Sequence, residues 1–380
     1  MATWQLLSDE EASQIWDQTL LKFEDYSPYQ SYAFGEYRRA LGWEPCRWAA
    51  FNEKGEIVAL MMGALRRYPL KLGLLYCEGG PVGDLSVCDQ SLQQAIKQTT
   101  GMRWIYCRFR CDRARDVADV LKLSAQGWCR SWVTLTPCYS MKLDLRQDEK
   151  SILAACEHNW RRNLRRANES NLVVRRWLDP DVDEVISVYA SMQSLKGLGE
   201  QYSREEIAQL WKNLAPQIVL YRCDDENGTL VSLLGWIVFG NRAWGVLSAN
   251  TDQGRKLHSS YLMYWTLVQH CLKIKVESCD LAGIDPAHNP GVYRFKRGTG
   301  AAPLEYLGEW DWASSSWLRW CGNWAISRRE RLQRLEASLK RSRALPPAKT
   351  ALPPAKILAD RVHSAPLPQT SVAERLQTTV

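Results

Sequence analysis

The sequence predicts an α/β protein, with helices and strands in mixed α+β layers, organised as two tandem units. Three observations predict it. The order of apolar patterns recurs, each half running two helices, a set of strands, a helix and a further strand. Helical and strand signals alternate irregularly, which argues against an all-parallel doubly wound sheet. The 380 residues are 46% hydrophobic and 24% charged, an ordinary globular balance that leaves room for two or three domains.

In the first half, Ser8 and Glu11 form a capping box for a helix burying Ala12, Ile15, Trp16 and Leu20. A second helix is expected over Tyr32–Leu41, stopped by Gly42. Strands at Cys46–Phe51 and Ile57–Leu65 flank the turn Asn52-Glu53-Lys54-Gly55, and Leu74–Glu78 follows. Gln90–Gln98 and Asp116–Ala125 read as helices, whereas Trp104–Phe109, Trp132–Thr136 and Tyr139–Leu143 read as extended. The second half opens with one helix over Glu149–Glu169, striped by Ile152, Cys156, Trp160, Leu164 and Ala167. A strand at Val173–Trp177, helices at Asp183–Ser194 and Ser203–Leu214, and strands at Ile218–Cys223, Thr229–Phe239 and Ala243–Ser248 come next. A long helix, Leu257–Ile274, leads to a short strand at Ser278–Leu281. The expected divisions are 1–145, 146–312, a basic terminal helix over 313–344 and a disordered tail over 345–380, where Leu345-Pro346-Pro347-Ala348-Lys349 repeats as Leu352-Pro353-Pro354-Ala355-Lys356.

Composition excludes several classes. No apolar run reaches the ~18 residues of a membrane span. Asp9, Glu10 and Glu11 stand where a signal peptide carries positive charge, so a cytoplasmic location is expected. The 12 cysteines include no C-x-x-C pair, and the five histidines lack metal-ligand spacing, so no metal is expected. The net charge of +7 is concentrated: 158–176 holds six arginines against Glu169, and 325–343 holds seven basic residues against Glu330 and Glu336. A solvated helix face explains Arg161, Arg162, Arg165 and Arg166 by default; a phosphate-binding face is the functional alternative. The second cluster suits an exposed helix or contact with anionic lipid at the inner membrane surface.

P-loop, G-x-G-x-x-G, G-x-S-x-G and H-E-x-x-H signatures are absent. The richest segment is 280–300, where a short strand leads through a glycine-bearing loop to Tyr293, Arg294, Phe295, Lys296 and Arg297, closed by Gly298 and Gly300. Three cations beside two aromatics suit an anionic ligand or a developing oxyanion. The alternative is a solvated basic turn with Tyr293 and Phe295 packed inward.

Tyr261–Gln269, Cys279–Ile284, Tyr293–Gly298 and Glu305–Glu309, taken in order, resemble the C-terminal signature of the FemA/FemB/FemX family. Tyr29–Arg38 with Gly42-Trp43, Glu78–Asp84, and Leu143–Leu145 followed by Asn159–Ala167 resemble its earlier blocks, so the similarity spans roughly residues 1–312. The resemblance implies two tandem GNAT-like acyltransferase domains, each a mixed, largely antiparallel sheet flanked by helices. It implies transfer of an acyl or aminoacyl group to an amine of a cell-envelope precursor (peptidoglycan or polysaccharide), with the acceptor between the domains. It places Phe295 and Lys296 at the transfer site and Arg38 and, as a looser match, Arg204 on the acceptor; Tyr293, Arg294 and Arg297 of the basic-aromatic turn are the further substrate-binding candidates.

Amide formation needs charge at the carbonyl oxygen, which Lys296 could supply, and a base for the ammonium, for which Asp280 or a substrate group are the candidates. The donor stays open. Family members that use aminoacyl-tRNA can carry a long helical hairpin for which 168–300 has no room, and coenzyme A thioesters serve the related acetyltransferases. Their pyrophosphate loop corresponds to Asp252–Ser260, which keeps one glycine, so Gly254, Arg255 and Lys256 are the candidates for a donor phosphate. Two rival readings are an acyl-CoA-dependent N-acetyltransferase acting on another amine and a non-catalytic glycan or lipid-precursor binding protein.

Overall fold

The expected repetition is visible in the strand pairing of the structure, a computed structural model that describes residues 2–196 and 202–344. The first half contributes β1 (Thr3–Leu6), β2 (Glu44–Phe51), β3 (Ile57–Tyr68), β4 (Leu72–Glu78), β5 (Val82–Gly83), β6 (Trp104–Ala114) and β7 (Cys129–Arg130). The second contributes β8 (Tyr139–Asp144), β9 (Val173–Arg176), β10 (Ile218–Asp224), β11 (Leu230–Phe239), β12 (Arg242–Asn250) and β13 (Ser278–Asp280), and β14 (Ala302–Ala313) lies between β6 and β8 in the middle of the sheet. The helices are α1 (Asp9–Leu20), α2 (Tyr32–Ala40), α3 (Gln90–Thr100), α4 (Val117–Ala125), α5 (Glu149–Ala155), α6 (His158–Asn168), α7 (Val182–Lys196), α8 (Arg204–Leu214), α9 (Asp252–Lys256), α10 (Ser259–Lys273), α11 (Pro290–Arg297) and α12 (Ser316–Ala344).

In one half β1, β2, β3 and β4 pair antiparallel in sequence and β4 then pairs β6 in parallel. In the other, β9, β10, β11 and β12 repeat that pattern and β12 pairs β13 in parallel. Parallel neighbours require a crossover, and α3 and α10 provide the two. The result is the mixed, largely antiparallel sheet flanked by helices expected for each half.

β14, for which the sequence carried no strand expectation, joins the halves. Residues 302–305 pair β8, whereas 306–313 pair β6. The partner changes at a register shift between Tyr306 and Gly308, where Gly308 adopts φ +79°. An added Cβ there would lie 2.9 Å from Arg130 Nη1 and 3.2 Å from Cys138 Sγ, so only glycine fits this bend.

Burial follows the same plan. One core sits between β1–β6, α3 and α4, and includes Trp48, Ile96, Phe109 and Trp128. A second packs α6 and α10 on the other half through Trp160, Leu164, Trp265 and Val268. A third is shared: Trp16, Leu20 and Phe34 of α1 and α2 pack with Val185, Ile207 and Leu210 of α7 and α8.

The capping box expected for α1 forms with Ser8 and Glu11, and α8 has another that was not expected, Ser203 with Glu206. Ile15, expected inside, is 39% exposed, while Ala12, Trp16 and Leu20 are buried. The single helix expected over 149–169 is two. Cys156 is extended between them, Arg161 Nη1 donates to the carbonyls of Ala154 (2.7 Å) and Cys156 (2.8 Å), and Glu157 N–H bonds the Gly298 carbonyl at 2.9 Å. Arg161 thus caps a broken helix rather than extending a solvated face. The tail expected to be disordered after 344 lies outside the described residues.

Trp132–Thr136, expected to be extended, forms no ladder because a buried ion cluster takes its backbone groups. Arg108 on β6 donates from Nε to Asp311 Oδ1 (2.7 Å) and from Nη1 to Glu309 Oε2 (3.0 Å). All three side chains are buried. Leu135 and Thr136 N–H groups each donate to Glu309 Oε1 at 2.9 Å, and Val133 carbonyl accepts from Arg108 at 2.9 Å. Asn323 of α12 donates to Asp311 Oδ2 at 2.7 Å. Arg108→Met should leave two buried carboxylates uncompensated and cost about 3–5 kcal/mol. Urea unfolding will measure this; a loss under about 1 kcal/mol would contradict the clamp assigned to Arg108.

Candidate active site

The two halves differ where each sheet turns parallel. β4 and β6 stay paired over seven residues, 72–78 against 104–110. β12 and β13 pair over only three, 242–244 against 278–280, and then diverge. A cavity of about 530 Å³ occupies the gap, walled by Gly245–Ser248 and Asn250 of β12, Leu281–Ala282, α10 and α11. Such an opened parallel pair exposes backbone that a zipped sheet would hide, so it is where an extended ligand can lie.

α11 presents Val292, Phe295 and Lys296 to this cavity, at the i, i+3, i+4 spacing of one helix face. Successive helical residues point about 100° apart, so the five-residue basic-aromatic run cannot face one way. Arg294 and Arg297 are solvent-exposed, Arg297 Nε pairing with Glu157 Oε1 at 3.0 Å. Tyr293 is partly buried on the second core, with Arg297 over its ring at 6.0 Å. Phe295 packs edge-on to Tyr261 (ring centroids 5.0 Å) and Tyr264 (5.8 Å), with Trp160 behind at 6.1 Å. Tyr293 and Phe295 thus pack inward and Arg294 and Arg297 meet solvent, while Lys296 alone of the three cations faces the cavity.

Lys296 Nζ donates to the carbonyls of Ala282 (3.0 Å) and Gly283 (2.8 Å). An ammonium has three donors, so one remains for a ligand. Burial brings its pKa down to about 8, against the opposing pull of Asp280. Asp280 is 8% exposed. Its Oδ1 accepts from Ser140 Oγ (2.5 Å) and Ala282 N–H (2.7 Å), and Oδ2 has no protein partner. Burial pushes its pKa up to about 6, resisted by those hydrogen bonds, while Asp112 raises it further. Ser140 is 140 residues distant and carried no sequence signal.

Asp280 also lines a second cavity, about 730 Å³, between the halves, with Asp112 and Arg113 of β6, Lys142 of β8, Arg242 of β12 and Tyr306 of β14. Arg38, on α2, pairs with Glu78 and lies over Phe34 at 5.1 Å. Glu78 faces Arg110 (3.7 Å), which donates to Asp112 Oδ2 at 3.1 Å, so Arg38 reaches this cavity wall only through a charge relay. Arg204 is exposed and held by Asp183 at 2.9 and 2.7 Å; the fold does not bring it to either cavity.

Gly254 is a packing glycine. A Cβ would sit 2.1 Å from Asn250 Oδ1 and 2.5 Å from the Val231 carbonyl. Arg255 lines the first cavity while pairing with Asp252 at 3.2 Å, and Lys256 is exposed, 2.9 Å from the same carboxylate. The start of α10 opens beside them: His258 and Ser260 line the cavity, and Asn250 Nδ2 donates to Ser260 Oγ at 2.7 Å. Among the described residues no cluster of metal-ligating side chains occurs.

Residues 205–321 match the model of the FemAB family. A solved FemX structure superposes with a TM-score of 0.67 at 15% identity, covering 81% of this chain and 96% of that one. A tandem GNAT protein from the clavulanic acid biosynthesis pathway gives 0.53 at 11% identity, covering 83% and 99%. No curated protein matches the sequence. Residues 205–321 are thus FemAB-like, and the chain has the fold of these tandem GNAT structures.

Competitive acetic anhydride labelling of the folded chain should give Lys296 a titration midpoint near 8. Asp280→Asn should lower that midpoint, because it removes a charge that favours the ammonium. A midpoint above 10 would rule out the environment described for Lys296.

Proposed function

We propose that this protein is an amide-forming N-acyltransferase that moves an acyl or aminoacyl group onto an amine of a cell-envelope precursor. The observation that carries it is the placement of Lys296 on a donor-sized cavity and of Asp280 on a second cavity lined by both halves, on either side of the point where β12 and β13 part. The donor lies in the first cavity, its phosphates at the start of α10 near Arg255; Lys256 contributes peripheral charge, and Gly254 lets α9 pack closely beneath them. The acceptor enters through the second, the Arg38 relay shaping its wall. Arg204, Tyr293, Arg294 and Arg297 meet acceptor parts outside it.

The chemistry balances. Asp280 Oδ2, unpartnered and ionised above about pH 6, takes the proton of the acceptor ammonium. The amine nitrogen attacks the acyl carbonyl carbon, a C–N bond forms, and the oxyanion meets the free N–H of Lys296. Collapse breaks the bond to the donor thiolate or ribose oxygen, which takes up the second proton of the former ammonium nitrogen as the neutral amide forms, while Asp280 passes the first proton to solvent. A thioester of coenzyme A is the donor we favour, because a helix start beside a basic residue suits a pyrophosphate. Aminoacyl-tRNA is the competing donor. The protein works in the cytoplasm; among the described residues no helix is long and apolar enough to cross a membrane.

Transfer from radiolabelled acyl-CoA or aminoacyl-tRNA to a precursor amine is the direct assay. Lys296→Met should lower kcat by about 10²-fold or more with circular dichroism unchanged. An unchanged rate would remove Lys296 from the mechanism. The rate should rise through about pH 6 as Asp280 deprotonates and fall through about pH 8 as Lys296 loses its proton, the two limits belonging to the coupled pair. Saturable binding of donor and acceptor without turnover would favour the binding-protein reading instead.

A further inference from the structure

α12 packs on the sheet through one face only. Asn323 is buried against Asp311, and Gly322 lies so close to Tyr106 that a Cβ would approach its ring to 2.6 Å. On the opposite side, positions 317, 320, 324, 328, 331 and 335 fall within an arc of about 80° on an ideal helix. They are Trp317, Trp320, Trp324, Arg328, Arg331 and Leu335, all exposed, with Trp317 at 71%. Trp320 and Trp324 stack at 6.4 Å, Arg328 lies over Trp324 at 5.2 Å, and exposed Trp132 meets Trp320 at 6.5 Å. No acidic residue stands in the stripe.

The sheet extends this surface. Ser314 N–H bonds the Ile105 carbonyl at 2.9 Å, so α12 starts beside the first residues of β6. Trp104, exposed with Arg103 over its ring at 5.4 Å, pairs with Leu72 at the end of the β3–β4 hairpin. The tip of that hairpin carries Leu70, 89% exposed, between half-exposed Tyr68 and Lys71. Large apolar side chains are therefore concentrated at one edge of the sheet and interleaved with cations.

We propose that this edge, the Trp-Arg face of α12 continued by Trp104 and the Leu70 tip, docks on an anionic lipid bilayer. Exposed apolar patches of this kind mark contact surfaces. Indole rings favour the headgroup level, where an apolar body and a polar N–H are both satisfied. Arginines among them match a negatively charged leaflet. A protein interface would bury the rings but does not call for a purely cationic rim. The inference stands on the helix and the hairpin and is independent of the acyltransferase reading.

The test is co-sedimentation of the full chain with phosphatidylcholine vesicles, with and without phosphatidylglycerol. Binding should require phosphatidylglycerol and weaken in high salt, which screens the surface potential. Replacing Trp317→Ser, Trp320→Ser and Trp324→Ser together should weaken it at least about tenfold, and Arg328→Gln with Arg331→Gln by about fivefold per charge. Urea midpoints should stay unchanged, since these side chains face solvent. Equal binding to both vesicle types, or unchanged binding by the tryptophan variant, would overturn the proposal. So would a dimer in light scattering that the tryptophan variant abolishes while vesicles bind neither form.

Discussion

Everything else in this molecule depends on β14 being shared. One strand pairs β8 with its first residues and β6 with its last, and Gly308 makes the change of partner feasible. The buried Arg108 then ties β6 to Glu309 and Asp311 on that strand, and through them to the 131–136 loop and α12. A cluster with two carboxylates and one guanidinium is tolerable in a dry interior only because backbone N–H groups and Asn323 satisfy the surplus negative charge. Geometric precision is what such a cluster contributes. It holds the halves, and therefore both cavities, in one register.

The second constraint is asymmetric. Both halves make the same crossover to a parallel strand, yet only one opens it. In the first half seven residue pairs leave no gap, whereas in the second the strands part after three. Parting them exposes β12 and the Ala282–Gly283 carbonyls, and Lys296 covers those carbonyls with two of its three donors. The same desolvation that lowers the Lys296 pKa raises that of Asp280, bringing a cation and a carboxylate into a window around neutral pH. One local feature of the sheet thus creates both the space and the electrostatics of the candidate site.

Local signals carried much of this. The capping box of Ser8, the glycine after α2 and the 3.6-residue stripe through Trp160 and Leu164 of α6 were readable because caps and amphipathic faces act within a few residues. Phe295 and Lys296 stood out as neighbours in a Gly-flanked turn, and both face the cavity. The break at Cys156 was hidden because Arg161 and Gly298 make it, one by reaching back and one from 141 residues downstream. Trp132–Thr136 carried strand-like residues, but Glu309 claimed its N–H groups.

Composition and periodicity therefore determined the layered α/β class, the two-fold repetition and the presence of a basic-aromatic helix near its end, since each arises from patterns only a few residues long. Three-dimensional packing alone decided which of the two sheets opens, which face of α11 meets the cavity, and that Arg204 and Arg297 point away from it. It also set Ser140 and Asp112 beside Asp280. These are choices among distant partners competing for the same buried donors and acceptors, and no short stretch of chain contains both competitors.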